Sequence, residues 1–246
     1  MKKILFYIAI IPSILLVLVQ PACNPIECFK RTGNIVREDR QVADFTTIMV
    51  NDNVELLLRN DSSKIVTVEA GSNLIKSVKT EVEGTILKIT NENTCNWARS
   101  FKTEIKITVG AQFIQNLEHF GFNEVKTLDT IEVNDINILC KNSGDMTLAL
   151  KGNNVNMFTS STSYIRLSGS SNAAFLHTNG QGEILAQSFR VQDLRVLHEN
   201  INTIHVFPIN TLDVTFNPEN TGNVLYYNEP QQITVQGTGT GKVVKK

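Results

Sequence analysis

The sequence predicts an all-β fold: a solenoid of the single-stranded β-helix type, built from two-strand units of about 19–20 residues. Three observations carry the prediction. Short apolar-x-apolar pairs return at near-constant spacing across residues 136–246, polar segments with turn chemistry separate them, and the stretch before them also alternates apolar and polar residues. Alternation with period two is the mark of a strand with one face buried.

The first strand of each unit carries Ile136/Ile138, Val155/Met157, Ala174/Leu176, Leu194/Val196, Leu212/Val214 and Ile233/Val235, with starts 19, 19, 20, 18 and 21 residues apart. A second series follows it through Met146/Leu148, Ile165/Leu167, Ile184/Ala186, Ile204/Val206, Val224/Tyr226 and Val243. Between them lie K-N-S-G-D, S-S-T-S, N-G-Q-G-E, E-N-I-N-T and N-P-E-N-T-G-N. Asn and Gly tolerate positive φ, and Ser and Thr bond their own backbone, so these segments turn the chain at low cost. One unit cannot bury its apolar face alone, whereas stacked units close a continuous core. An evenly spaced β-sandwich is the alternative. Drift of only about a residue over six units favours the solenoid.

Taken from the N-terminus, residues 1–22 have the shape of an export signal: Lys2 and Lys3, an apolar run from Ile4 to Val19, then Q-P-A-C. Cys23 after a small residue predicts a lipoprotein, lipidated on that cysteine, although Gln20 stands where an aliphatic residue is usual. Plain cleavage or an uncleaved anchor are the alternatives. Each buried methylene of an acyl chain contributes about 0.8 kcal/mol, so several chains anchor stably. The expected location is the cell envelope, by an outer-membrane anchor, on a periplasmic or surface face that the residues leave open.

Residues 23–44 read as an N-terminal arm, and residues 45–246 as one β domain in three parts: N-terminal strands (45–109), a junction (110–135) and the regular repeat (136–246). Cys28 in the arm and Cys95 in N-E-N-T-C-N-W belong to no strand ladder, so a disulfide between them is expected, with two separate thiols as the alternative. Cys140 follows Ile138 and Leu139 and reads as a small packed residue. Strands are predicted from Phe45 to Val50, through Val54, Leu56 and Leu58, through Val66, Val68 and Ala70, at Leu87 and Ile89, and through Ile105, Ile107 and Val109. Residues 73–78 break the pattern, since Leu74, Ile75 and Val78 share one face of a helical turn. These strands form either a cap or the first irregular rungs. In the junction, strands are expected at residues 114–117 and 125–128. The closing G-T-G-T-G-K lacks the Ser or Thr and the helix of a phosphate loop and reads as a flexible, basic end.

The order of these features resembles one family. An exported N-terminus leads to F-T-T-I-M-V, V-T-V-E-A-G-S-N-L-I and T-C-N-W-A-R-S-F-K, then the polar repeat, and Y-N-E-P-Q-Q-I-T-V-Q-G-T-G-T-G-K-V at the end. This is similar to the putative auto-transporter adhesin, head GIN domain family, over residues 45–246. The resemblance implies an all-β, solenoid-like fold and an envelope location, and it carries over no catalytic residues.

Chemistry is sparse. With 23 basic and 24 acidic residues and no basic patch interleaved with aromatics, nucleic acid is not an expected partner. His119, His177, His198 and His205 fall at different positions of the unit and read as scattered surface histidines, not a metal site. No Cys/His spacing suggests zinc, and no cofactor is expected. A polysaccharide lyase or hydrolase on a β-helix would need clustered carboxylates. Asp135, Asp145, Glu183, Asp193, Glu199, Asp213 and Glu219 are dispersed; only Asp193 and Asp213 lie one unit apart, each beside a Leu. The remaining surface is rich in Asn, Ser and Thr, with Tyr164, Phe189, Phe207, Tyr226 and Tyr227 counted as exposed aromatics. The expected function is therefore non-enzymatic: an adhesin-like interaction with a glycan or an envelope protein. A carbohydrate-active enzyme is the alternative.

Overall fold

A computed structural model describes residues 31–94 and 105–246. Cys23, Cys28 and Cys95, with the lipidation and disulfide expectations they carry, lie outside the described residues.

The regular part is built as the repeat predicts. Strands β1 (Ile35–Gln41) to β7 form the N-terminal third: β2 (Thr47–Asp52), β3 (Glu55–Arg59), β4 (Ile65–Gly71), β5 (Val78–Glu83), β6 (Ile86–Asn91) and β7 (Lys106–Gly110). They are followed by β8 (Asn116–Gly121), β9 (Val125–Thr127), β10 (Ile131–Glu132) and β11 (Asp135–Cys140). Four long strands turn a corner without a break: β12 (Met146–Thr159), β13 (Tyr164–Thr178), β14 (Glu183–His198) and β15 (Ile204–Phe216). Then come β16 (Val224–Tyr226), β17 (Gln232–Gly237) and β18 (Val243–Lys245).

Two parallel ladders run along the molecule. Ladder A stacks β6, β2, β8, β11, the second halves of β12 to β15, and β17. Ladder B stacks β7, β3, β9, the first halves of β12 to β15, β16 and β18. The predicted inward pairs are register partners: Ile136 meets Val155, Val155 meets Ala174, Ala174 meets Leu194, and Leu194 meets Leu212. These side chains are buried, and the last pair, Ile233 and Val235, is exposed, with no further rung over it among the described residues. The step of 20 residues between β13 and β14 has a local cause. The register slips between Arg166 and Ser168, which inserts one extra residue into β14.

The N-terminal third is both cap and rung. β2 and β3 form one parallel rung and β6 and β7 another, but they stack out of chain order. The rung laid down first lies between one formed later (β6/β7) and the next (β8/β9), with Thr47 pairing both Ile86 and Asn116. In between, the chain builds the cap. β5 runs antiparallel on β6, β4 antiparallel on β7, and β1 antiparallel on β4. The helical turn expected over residues 73–78 is a 3-10 turn at Ile75–Ser77, with Leu74, Ile75 and Val78 buried. β1 was not expected. Its sequence, IVREDRQ, is mostly exposed, and its charges suit an edge strand that must not recruit another chain.

The strands expected in the junction are present as β8 and β9, and they make a complete rung in register with the repeat. One further expectation is corrected. The G-T-G-T-G-K segment is no flexible end: Gly237 adopts φ +93 where a Cβ would lie 1.9 Å from the Phe216 carbonyl oxygen, and β18 then pairs with β16.

Candidate functional site

The interior holds the first surprise. Val50, His119, Cys140, Thr159, Thr178, His198 and Phe216 are successive register partners in one inward column of ladder A. His119 and His198 are therefore not surface residues; both are fully buried. The His119 ring nitrogens have no hydrogen-bond partner among the described residues, whereas the His198 ring lies against the backbone of Asn202 and Asn223, which partly opposes the effect of burial; burial pushes both pKa values down to about 4. The His119 ring packs on Gly144, where a Cβ would meet it at 2.3 Å. Cys140 is a buried free thiol, 3.7 Å from the hydroxyls of Ser161 and Ser163. The column is closed to ligands, so these groups bear on stability.

The other two histidines are half-buried and face outward. His177 Nε2 lies 3.1 Å from Glu199 Oε2, and its ring meets Phe158 edge-on at 4.7 Å. His205 stands 3.4 Å from Glu183 Oε1 and shares a hydrogen bond of 2.8 Å with the Tyr227 hydroxyl. Among the described residues no group of three His, Cys, Asp or Glu side chains could hold a metal ion.

The aromatics divide differently from the expectation. Tyr164 and Tyr227 are exposed and Phe207 is half-buried beneath the Arg190 guanidinium at 5.5 Å. Phe189 and Tyr226 point inward, Phe189 because the irregular register of β14 turns it into the core at the corner. Phe158 and Phe175 are the outward rings of ladder A, beside His177. Strand alternation signals them, because Val155/Met157 and Ala174/Leu176 point in.

Ladder A thus presents three outward columns. The first runs Asp135, Asn154, Ala173, Asp193, Thr211. The second runs Asn116, Asn137, Asn156, Phe175, Arg195, Asp213. Leu139, Phe158, His177 and Leu197, all half-buried, form the third. Rungs about 4.8 Å apart let side chains of one column bond directly. Asn154 donates to Asp135 at 2.5 Å, and Asn156 to Asn137 at 3.0 Å. Asp193 and Asp213 are not rung partners, because the register between β14 and β15 slips. Thr211 faces Asp193 instead and donates its hydroxyl at 2.9 Å, while Arg195 faces Asp213. All four residues line one shallow depression of about 240 Å³ together with Asn156 and Phe175.

Ladder B is more highly charged. Lys126 bonds Glu55 at 2.6 Å, which raises its pKa, and lies 3.6 Å from Glu124; Arg166 lies 3.7 Å from Asp145. These charges are paired with one another, whereas ladder A sets amides, hydroxyls and carboxylates beside apolar rings.

Comparison with known proteins agrees with this architecture. A putative adhesin from Bacteroides fragilis superposes with a TM-score of 0.78 at 16% identity, over 87% of this chain and 97% of that one. A putative lipid binding protein from Parabacteroides distasonis has a TM-score of 0.65 at 18% identity, over 87% and 97%. A putative adhesin from Parabacteroides merdae has 0.65 at 16%, over 88% and 98%. At these identities the likeness shows the fold. No curated protein matches the chain. The model of the putative auto-transporter adhesin, head GIN domain family matches residues 44–230, and the chain belongs to that family.

Proposed function

We propose that this chain is a non-enzymatic, adhesin-type binding module of the cell envelope, and that it meets glycans through the outward face of ladder A. One observation carries the reading: the register sets amides, hydroxyls and carboxylates beside the rings of Phe158 and Phe175 on one continuous face. Aromatic faces with a few convergent polar groups are the general chemistry of sugar recognition. The family's adhesin description and the adhesin descriptions of structural neighbours support the same role. The export signal and Cys23 support delivery to the envelope on a lipid anchor. The mass of the purified protein tests that anchor and the Cys28–Cys95 bridge.

The enzyme alternative draws on Asp193 and Asp213 in one depression. Against it, Thr211 already occupies one oxygen of Asp193, and the depression is shallow. A glycan array run beside turnover assays on the same sugars decides between the two. Saturable binding without turnover supports the binding module. Turnover that is lost in Asp193→Asn or Asp213→Asn refutes it.

A further inference from the structure

The geometry points to a subsite for one neutral pyranose at the point where the amide column of ladder A ends, with Asn156, Phe175, Asp193 and Arg195 as its contacts. This rests on the glycan reading above and narrows it to one place and one class of sugar.

In the second outward column each amide spends an N–H on the rung before it. Asn116 donates to Thr47 Oγ1 at 3.1 Å, Asn137 to Asn116 Oδ1 at 3.1 Å, and Asn156 to Asn137 Oδ1 at 3.0 Å. The series stops there because the next position is Phe175, whose ring has no donor. Asn156 Oδ1 is left as an outward acceptor next to an aromatic face. In the adjacent column Ala173 interrupts the larger side chains between Asn154 and Asp193, and this opens the depression of about 240 Å³.

The flanking groups suit a sugar ring. Asn156 is one rung to one side of Phe175 and Arg195 one rung to the other, so the two are about 9–10 Å apart along the ladder. Phe175 supplies the apolar floor for the C–H face of a pyranose. At one rim a hydroxyl donates to Asn156 Oδ1. At the other, one of two neighbouring hydroxyls donates to Asp193, whose Oδ2 is not the oxygen taken by Thr211, and the second accepts from Arg195. Asp213 is the register partner of Arg195 on the next rung and adds a second carboxylate to the row. Two carboxylates against one guanidinium leave the site net negative, so it favours a neutral sugar over a uronate.

The test is a chemical-shift titration of the purified protein with methyl glycosides of glucose, galactose, mannose and N-acetylglucosamine, and with the methyl glycoside of glucuronic acid. At least one neutral glycoside is expected to shift the backbone signals of residues 154–156, 173–175 and 193–195. Phe175→Ala and Asp193→Asn are each expected to weaken it at least tenfold with the remaining spectrum intact. Tyr164→Ala, on ladder B, should leave it unchanged, and the glucuronide should bind at least tenfold more weakly. The subsite is overturned if no glycoside shifts these signals, if binding survives both substitutions, or if the glucuronide binds more tightly. Binding on the glycan array that survives Phe175→Ala would overturn the subsite alone, whereas silence on the array would remove the glycan reading with it.

Discussion

His119 and His198 are fully buried in one inward column, and burial pushes their pKa values down to about 4, for His198 against the opposing effect of the Asn202 and Asn223 backbone. Their register neighbours, Val50, Cys140, Thr178 and Phe216, supply no negative charge to hold a proton. Lowering the pH is therefore a targeted perturbation. In the unfolded chain each imidazole takes a proton near pH 6.5, but in the folded chain only near 4, so between those values the unfolded state binds more protons and stability falls with pH. Each unit of separation corresponds to about 1.4 kcal/mol, which gives about 3 kcal/mol per histidine once the pH is below 4. At pH 5 the loss is about 2 kcal/mol each, or about 4 for the pair. Against a typical total of about 5–15 kcal/mol, that is a large share. Urea unfolding followed by circular dichroism at pH 7.5, 6.0 and 5.0 measures it. A His119→Leu/His198→Leu variant isolates the cause, since its stability should lose most of this pH dependence whatever its value at pH 7.5. Equal slopes in the wild type and the double variant would refute the reasoning.

Three other outcomes follow from the packing. Leu176→Ala removes a fully buried side chain flanked by Met157 and Val196 on neighbouring rungs and should cost about 2–5 kcal/mol in urea unfolding. Gly237→Ala should destabilise by more than about 1 kcal/mol, because φ is +93 and the new Cβ would meet the Phe216 carbonyl oxygen; an unchanged melting temperature would contradict the closing turn. Cys140 is fully buried, so its thiol should resist a disulfide reagent in the native protein and react once urea unfolds the chain. With Cys23, Cys28 and Cys95 replaced by Ser, fast native reaction would contradict its placement.

The repeat was legible because two periods coincide in it. Alternation within strands marks Ile136/Ile138 or Leu194/Val196 as inward, and near-constant spacing puts each pair over the next. The same alternation puts Tyr226 inward, against its place among the expected exposed aromatics, and the structure follows the alternation. Less visible were features that depend on partners far away in the chain. The β2/β3 rung pairs with both β6 and β8, and no local period encodes an order that departs from the sequence. β1 was missed because a charged edge strand has no apolar face to announce it. The two buried histidines were hidden by their spacing, since they share a column only after four intervening register steps are known. For the candidate site, Asp193 and Asp213 were legible as carboxylates one unit apart. The slip that gives Asp193 to Thr211, and the pairing of Phe175 with the end of the Asn column, needed the register.

The most direct test of the central claim compares two faces of one molecule on a glycan array: Phe158→Ala/Phe175→Ala on ladder A, and Tyr164→Ala/Tyr227→Ala on ladder B. The account predicts that the wild type and the ladder B variant bind the same glycans while the ladder A variant loses them. Binding that persists in the ladder A variant and disappears in the ladder B variant would contradict it.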